Sequence, residues 1–477
     1  MSSYSPRRRH NASTAAFSFG DITFAFKLMQ HMISASGPDI SGATIKRFLT
    51  AKQGNKERLN SLVGAFAVDP YVLQHVVHNV DGDYGKLSET TLVPRNFDLF
   101  VRCATELGHR GDFVPALFDR LSPGSALNAT PERYGGCPFG NWDQYKLQEP
   151  HLMSKDRFPE QVEAMERIID EHMAKYIGKT EDIGKVLRLL VWNLYTYTSY
   201  GVEPSETTAR ILHVFEEHSP EFDYVVRMTV NNVPYEWSPT LKQQVKEMAD
   251  WSLAVTEERT KNIGQCAHMN DVWTDTVINH SDIDLAKSEG ALRGVYIGGM
   301  NNLHCAVSGA MVFNTLNKDT VRDYLLSAPE ANIEHILREA LRLYTSIPTS
   351  RVVREQDNFM VDGKKLEPGT SVILSTFAID TDPRSWEDPM KFDPSRFENT
   401  EEIGYLCQKG FAPFGVSANL GGRPCGARYL AVHIMRVLLT KLLRDYKFTA
   451  SRGYFDFKQN AGTSVYAGKC YAKVEKR

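Results

Sequence analysis

One cysteine in a glycine-rich stretch has the setting of a residue that could do chemistry. Cys425 lies in FAPFGVSANLGGRPCGARYLAVHIMRVLLTKLLRDY, and the apolar residues that follow it at spacings of three and four predict a helix starting just behind it. Unpaired N–H groups and the positive end of the helix dipole lower the pKa of a thiol there and favour the thiolate. The segment indicates either a metal-ligating thiolate or a glycine-rich turn with a buried free cysteine.

The neighbours of Cys425 suit a flat ligand that carries carboxylates. Gly421, Gly422 and Gly426 would let such a group approach the backbone, because glycine has no side chain in the way. Arg423, two residues before the cysteine, can bind a carboxylate.

Charged residues in two other segments form a second pattern. HILREALRLY places Glu339 and Arg342 on one helical face at i, i+3, and FDPSRF supplies Arg396 as a further partner. Pairs of this kind are also common on solvated helices, so the spacing alone does not separate a surface pair from a structural one.

The elements that must position these residues are mostly helical. Apolar residues recur at helical spacing over residues 158–177 and again in KVLRLLVWNLYTYTSYG, whereas NFMVDGKKLEPGTSVILSTFAID predicts short strands separated by turns at Gly363 and Pro368-Gly369. No repeat or long linker divides the chain. We therefore predict a mainly α fold with a small β region, in which residues 1–40 form a partly flexible extension and residues 41–477 a single domain.

Composition excludes several classes of partner. The chain has 477 residues and a formal net charge of -3, which leaves no basic excess for nucleic acid or anionic lipid. Seven cysteines without a CxxC pair favour a reducing compartment. The opening, with Arg7, Arg8 and Arg9, is too polar to span a bilayer, and a transit peptide is the alternative to a frayed basic terminus. We predict a soluble, cytoplasmic protein without a membrane anchor.

Taken in order, the motifs resemble the cytochrome P450 superfamily. An ExxR helix is followed by a hairpin region, a DP-x-x-W turn at Asp382, Pro383 and Trp386, then FDPSRF and finally PFG…GGRPCGA. The resemblance covers residues 291 to the end, and residues 142–201 more loosely. It implies the cytochrome P450 fold in one haem-binding catalytic domain, with haem b (iron protoporphyrin IX) between a distal helix near residue 300 and the proximal helix after Cys425.

The resemblance also assigns roles to individual residues. Cys425 becomes the axial thiolate ligand of the haem iron. Glu339, Arg342 and Arg396 are implied to form a structural network. It would stabilise the loop that leads to Cys425, which we call the cysteine loop. The other positions implied to bind the cofactor are Arg423, Arg351, Trp142, Lys146, Phe414 and Gly421. In NWDQYK the family's arginine is replaced by Lys146, a less geometrically defined donor.

The chain departs from the family pattern at two places. VSAN, residues 416–419, is an insertion in the cysteine loop, expected over the proximal haem face. In the distal helix the family's acid and threonine are replaced by Asn301 and Asn302, which follow Gly298 and Gly299. We predict these four residues as the catalytic-site positions. Because an amide cannot ionise near neutral pH, proton delivery must use water, the substrate or His304, for which a structural hydrogen bond is the stronger expectation.

These observations leave three functions open. The leading one is an oxidoreductase that activates O₂ to oxidise a small organic substrate, by hydroxylation or by C–C or C–N coupling, in secondary metabolism. Its electrons would come from a ferredoxin or flavodoxin and a reductase, as in soluble bacterial-type systems. The alternatives are a haem-thiolate isomerase, dehydratase or peroxygenase that acts on a hydroperoxide without a reductase, and a non-catalytic haem-binding sensor. An aromatic or apolar substrate is favoured by the aromatic residues Tyr134, Phe139, Tyr224 and Tyr235.

Overall fold

The structure is a computed structural model, and it describes ten helices and nine strands over part of the chain. The residues it describes are 70–88, 90–108, 158–209, 211, 239–262, 265, 285–345, 348–400, 410–422, 424–425, 427–461 and 464–477. The helices are α1 Pro70–His78, α2 Phe97–Glu106, α3 Phe158–Ala174, α4 Ile183–Tyr200, α5 Pro239–Lys261, α6 Leu285–Leu316, α7 Thr320–Ser327, α8 Pro329–Tyr344, α9 Thr376–Asp380 and α10 Arg428–Asp445. The strands are β1 Tyr84–Ser88, β2 Thr91–Pro94, β3 Thr180–Asp182, β4 Thr349–Val352, β5 Met360–Val361, β6 Lys364–Lys365, β7 Ser371–Leu374, β8 Tyr446–Ala461 and β9 Ser464–Lys476.

A helical bundle forms the main core. Helices α4, α6 and α10 contact one another, and α3 contacts α4 and α10. Helix α4 begins at Asp182, whose side chain accepts a hydrogen bond from the Gly184 N–H, and ends at Gly201 in the left-handed conformation with φ +64°. The helices predicted over residues 158–177, in the following apolar segment and after Cys425 are all confirmed. Among the helices of the described residues, none is long and apolar enough to cross a membrane.

Helix α8 carries the ExxR pattern into this core. It begins with Pro329 in its first turn, where the missing N–H is not needed, and it buries an apolar face that includes Ile336 and Leu337. Its last two turns are buried all round, so Glu339 and Arg342 lie inside the protein rather than on a solvated face.

The described strands form three small sheets. One sheet has the order β1-β2-β7-β4, in which β2 and β7 are parallel and the other pairs antiparallel. The predicted turns are present: Gly363 joins the β5-β6 hairpin at φ +74°, and Gly369 precedes β7 at φ +88°. A second apolar cluster, with Phe100 of α2 and Val372 of β7, also takes in Ala412 from the segment before Cys425. The sheet thereby contacts the cysteine loop.

Candidate functional site

Cys425 lies three residues before the first residue of α10. Its N–H donates to the carbonyl oxygen of Phe414 over 2.9 Å, and its own carbonyl accepts from Nη1 of Arg428, also over 2.9 Å. Its side chain is exposed. Backbone hydrogen bonds therefore hold the residue in place while leaving the sulfur accessible.

The other cysteines in the described ranges have a different setting. Cys103, Cys305 and Cys470 are buried. Burial raises the pKa of Cys103 and of Cys305 to about 12, and that of Cys470 to about 11, so these thiols stay protonated and inert. Within the described part of the chain, Cys425 is the one cysteine that a ligand can reach.

The four extra residues of the cysteine loop form a closed turn. Residues Ala418–Leu420 make one turn of 3₁₀ helix, and the N–H groups of Leu420 and Gly422 both donate to the Ser417 carbonyl, over 3.1 and 3.0 Å. A Cβ on Gly422 would lie 2.3 Å from the Val416 carbonyl oxygen, so only glycine fits there. The close approach of Val416 is thus a local reason for this glycine, apart from any room for a ligand. Gly421 adopts φ +77°, which also favours glycine.

Glu339 and Arg342 form a fully buried ion pair. Nε and Nη2 of Arg342 each lie 2.7 Å from one oxygen of the Glu339 carboxylate, and neither side chain is exposed. The remaining nitrogen of Arg342, Nη1, donates to the carbonyl oxygens of Asp380 and Pro389 over 2.9 and 2.7 Å. Nε of Arg396 lies 3.5 Å from Oε1 of Glu339. The three residues predicted as a network are therefore brought together.

The segment after α9 is bonded directly to the start of the cysteine loop. Nε1 of Trp386, in the DP-x-x-W turn, donates to the Gly410 carbonyl over 2.6 Å. The Ala412 N–H donates to Oδ1 of Asp380 over 2.6 Å. Sequence reasoning did not single out Asp380, although an acid in the apolar run STFAI-Asp380 was a signal that could have been noticed. Burial raises the pKa of this carboxyl well above its usual range.

Arg351 is the described cation among the residues predicted to bind haem carboxylates. It lies on β4 opposite Val372 of β7 and is buried. Its guanidinium donates to the carbonyl oxygens of Ser350 and of Ala104, the latter in α2, over 2.9 and 3.3 Å. The other predicted donors, Trp142, Lys146 and Arg423, lie outside the described residues.

The amide positions of the distal helix lie within α6. All four residues, Gly298, Gly299, Asn301 and Asn302, are helical, and Met300 lies between the two pairs in the same helix. The Asn302 side chain is half-buried, and that of Asn301 lies outside what the structure describes. A Cβ on Gly299 would lie 2.5 Å from the phenol oxygen of Tyr195 in α4. This glycine therefore permits close packing of α4 and α6.

His304 forms the structural hydrogen bond expected of it. Its Nε2 lies 2.8 Å from the Gly184 carbonyl oxygen, and since a carbonyl can only accept, Nε2 carries the proton. Burial lowers the pKa of the ring to about 3. The imidazole is neutral at physiological pH and donates a hydrogen bond to the backbone of α4.

The residues present fit a thiolate-bound porphyrin. An iron porphyrin needs one accessible thiolate and cations for its carboxylates. Cys425 supplies an exposed sulfur in front of a helix N-terminus, and Arg351 supplies a buried guanidinium on β4. The resemblance noted in the sequence implies that this group is haem, bound through the cysteine thiolate.

Comparisons with known proteins agree with these motifs. The family model described as Cytochrome P450 matches residues 333–462, which include the ExxR helix and the cysteine loop. Cytochrome P450 71A2 of Solanum melongena is 24% identical over 385 residues, covering 71% of this chain and 73% of that protein. Cytochrome P450 CYP13A7 of Caenorhabditis elegans is 34% identical over 119 residues, which are 24% of this chain.

The stronger local matches are short. The alignments to CYP13A7 and to CYP13A5, also from Caenorhabditis elegans, cover only 22% of each of those proteins. Sterol 26-hydroxylase of Rattus norvegicus is 30% identical over 162 residues, 28% of its length. High local similarity is thus confined to a part of these relatives.

Solved structures share the architecture over most of the chain. A zebrafish cytochrome P450 solved with abiraterone superposes with a TM-score of 0.65 at 16% identity, covering 86% of this chain and 99% of that one. The same fish protein solved with progesterone gives a TM-score of 0.67 at 15% identity. The predicted fold class is confirmed as the cytochrome P450 fold. In motif order, in the match to the family model over residues 333–462 and in fold, this chain is similar to cytochromes P450.

Proposed function

We propose that this protein is a haem-thiolate oxidoreductase that activates O₂ to oxidise a small organic substrate. The observation that carries the proposal is the setting of Cys425: a sulfur left exposed in front of α10 while its backbone is bonded to Phe414 and Arg428. Haem bound through such a thiolate supplies the electron density that favours O–O cleavage. The named relatives include a sterol 26-hydroxylase, which supports hydroxylation as the reaction class.

The distal residues have a narrower part in this proposal. Asn302 can donate and accept hydrogen bonds and order water, but it cannot give up a proton near neutral pH. His304 is held neutral and directed at the Gly184 carbonyl, so it is unsuited to deliver protons. We therefore assign proton delivery to ordered water or to the substrate, with Asn301 and Asn302 positioning it beside Gly298 and Gly299.

The partners belong to the same proposal. A monooxygenase of this class needs electrons, which we assign to a ferredoxin or flavodoxin and a reductase. The substrate is proposed to be aromatic or apolar and the pathway secondary metabolism, in the cytoplasm. The residues that suggested the substrate class, Tyr134, Phe139, Tyr224 and Tyr235, lie outside the described residues, as does the extension proposed for residues 1–40.

The experiment is the carbon-monoxide spectrum of the reduced, haem-loaded protein. Cys425→Ser should abolish the red-shifted band of a thiolate-ligated haem, because serine is not deprotonated there. Cys470→Ala is the matched control, since that thiol is buried at the β8-β9 sheet, and it should keep the band. A colourless wild-type protein, or a Cys425→Ser variant with an unchanged band, would refute the proposal.

A second candidate is favoured by the absence of an ionisable residue at positions 301 and 302. A haem-thiolate isomerase, dehydratase or peroxygenase that acts on a hydroperoxide does not need an acid for O₂ activation. The two candidates are separated by cofactor demand: dependence on NAD(P)H and a reductase supports the first, and direct hydroperoxide consumption supports the second. If no turnover occurs under either condition and no candidate substrate shifts the spectrum, the protein is a non-catalytic haem sensor.

A further inference from the structure

Two acids at the end of α9, Asp380 in its last position and Asp382 just behind it, are only two residues apart but have opposite surroundings. Asp382 is bonded by the guanidinium of Arg384, with Nε 2.9 Å from Oδ2, and although burial opposes it, these bonds lower the pKa of Asp382. Asp380 is 0% exposed, and among the residues that the structure describes no cation is bonded to its carboxyl. Burial raises the pKa of Asp380 well above its usual range. Although Asp380 and Asp382 are close in sequence, their carboxyl groups therefore have different environments.

In the described part of the chain, the carboxyl of Asp380 has one hydrogen bond, and that bond reaches the cysteine loop. Oδ1 accepts from the Ala412 N–H over 2.6 Å. Within the described residues, no hydrogen-bond partner is found for Oδ2. The charged group facing this carboxyl is Arg342, but its Nη1 donates to the backbone oxygen of Asp380, over 2.9 Å, rather than to the carboxyl.

Asp380 thereby joins two structures that are distant in sequence. On one side its carbonyl is bonded by Arg342, which also carries the Glu339 ion pair. On the other side its carboxyl holds the N–H of Ala412, two residues before Phe414. The Phe414 carbonyl in turn accepts the N–H of Cys425. A short path of hydrogen bonds runs from the ion pair to the residue that presents the sulfur.

Packing alone does not account for an acid here. The preceding residues Phe377, Ala378 and Ile379 are all buried and apolar. A buried carboxyl with one hydrogen bond is costly compared with an apolar side chain of similar size. The feature that an apolar residue could not supply is an acceptor for the Ala412 N–H.

We propose that Asp380 is a positioning residue for Cys425: an oxygen of its carboxyl group holds the start of the cysteine loop at the ion-pair end of α8. The inference rests on the proposed haem-thiolate function. The property of Asp380 that matters in this proposal is the oxygen that accepts the hydrogen bond, and its negative charge is not needed.

The test compares Asp380→Leu with Asp380→Asn in the haem-loaded protein. Urea titrations would follow the thiolate band of the reduced carbon-monoxide adduct and, in parallel, the helix signal in circular dichroism. Leucine leaves the buried Ala412 N–H without an acceptor, so the equilibrium between bound and displaced thiolate should shift about tenfold toward displacement. The band of Asp380→Leu should then disappear at urea concentrations where the helix signal is still native. Asparagine keeps an acceptor oxygen, and its band and helix signal should be lost together, as in wild type.

The matched control is Asp382→Asn, a buried acid in the same turn that is bonded to Arg384 instead of the loop. It should lower overall stability while the band and the helix signal are still lost together. Loss of the band ahead of the helix signal in Asp382→Asn, or no such separation in Asp380→Leu, would overturn the inference. If Asp380→Leu does not fold, Asp380→Asn decides alone: early loss of its band contradicts a neutral acceptor. A wild-type protein without the thiolate band would instead refute the proposed function.

Discussion

The Glu339–Arg342 pair and the ring of His304 are both buried inside the helical core, yet the first is an ion pair and the second is neutral. Glu339 and Arg342 form an ion pair in which each meets the other through two contacts of 2.7 Å. His304 meets a carbonyl oxygen of α4, and burial lowers its pKa to about 3. The partner decides the charge state of a buried group, and burial only sets what an unsuitable partner costs.

The largest expected effect comes from removing one charge of the buried pair. Arg342→Met leaves the Glu339 carboxylate buried without its cation and should lower the free energy of unfolding by about 3–5 kcal/mol. Urea denaturation of the haem-loaded protein measures it. Arg436→Met is the control, because Arg436 pairs with Glu334 at the surface with 42% of its side chain exposed, and that loss should stay below about 1 kcal/mol. Equal losses in both variants would show that burial adds nothing to the pair.

A smaller effect should follow from adding a side chain at the tightly packed contact between α4 and α6, the helix that carries His304. Gly299→Ala places a methyl group against the phenol oxygen of Tyr195, 2.5 Å away before relaxation, and overpacking of this kind costs about 1–3 kcal/mol. Thermal unfolding measures the loss. Adding Tyr195→Phe removes the nearest atom and should recover part of the stability. At Gly82, where the nearest atom to an added Cβ is 4.0 Å away, the same substitution should cost much less. An equal loss at Gly82 would point to backbone entropy as the cause.

The smallest effect is on how the free energy of unfolding depends on pH, which should reveal the neutral ring of His304. An unfolded histidine binds a proton below pH 6.5, whereas folded His304, with its pKa near 3, does not. Its contribution to stability is complete above pH 6.5 and is lost as the pH falls toward 3. One such group should reduce the free energy of unfolding by about 1.4 kcal/mol between pH 7.5 and 5.5.

His304→Gln retains a donor for the Gly184 carbonyl but does not titrate, so the fall between pH 7.5 and 5.5 should shrink by that amount. The free energies come from urea denaturation at each pH. His172 provides a comparison, since its ring also meets a backbone carbonyl, that of Val186, and burial lowers its pKa to about 4. A pH profile of His304→Gln identical to that of wild type would contradict a neutral buried ring.

Much of the site's local structure follows from short-range pattern. The i, i+3 spacing put Glu339 and Arg342 on one face of a helix, and the apolar residues behind Cys425 predicted the helix that α10 is. Gly363 and Gly369 marked turns because each adopts a positive φ. Such features depend on neighbours a few residues away, which a sequence displays directly.

Contacts between distant segments could not be predicted in this way. The spacing of Glu339 and Arg342 did not reveal that Arg342 also bonds the carbonyls of Asp380 and Pro389, 38 and 47 residues further along. The role of Gly299 likewise depends on the packing of Tyr195 in α4 against α6. The apolar run before Asp380 marked it as unusual, but it did not reveal that its carboxyl bonds the cysteine loop, because that depends on which chain segments pack against it.

By itself, the sequence determined which residue types are available and where: one cysteine ahead of an amphipathic helix, an acid and an arginine one turn apart, and two amides in the distal helix where the family has an acid and a threonine. Only the tertiary structure decided their states. It buried the Glu339–Arg342 pair, held His304 neutral, left Cys425 exposed and turned the Asp380 carboxyl toward the cysteine loop. The physical reason is that solvation and charge at a side chain are set by groups remote in sequence, which meet only when the chain folds.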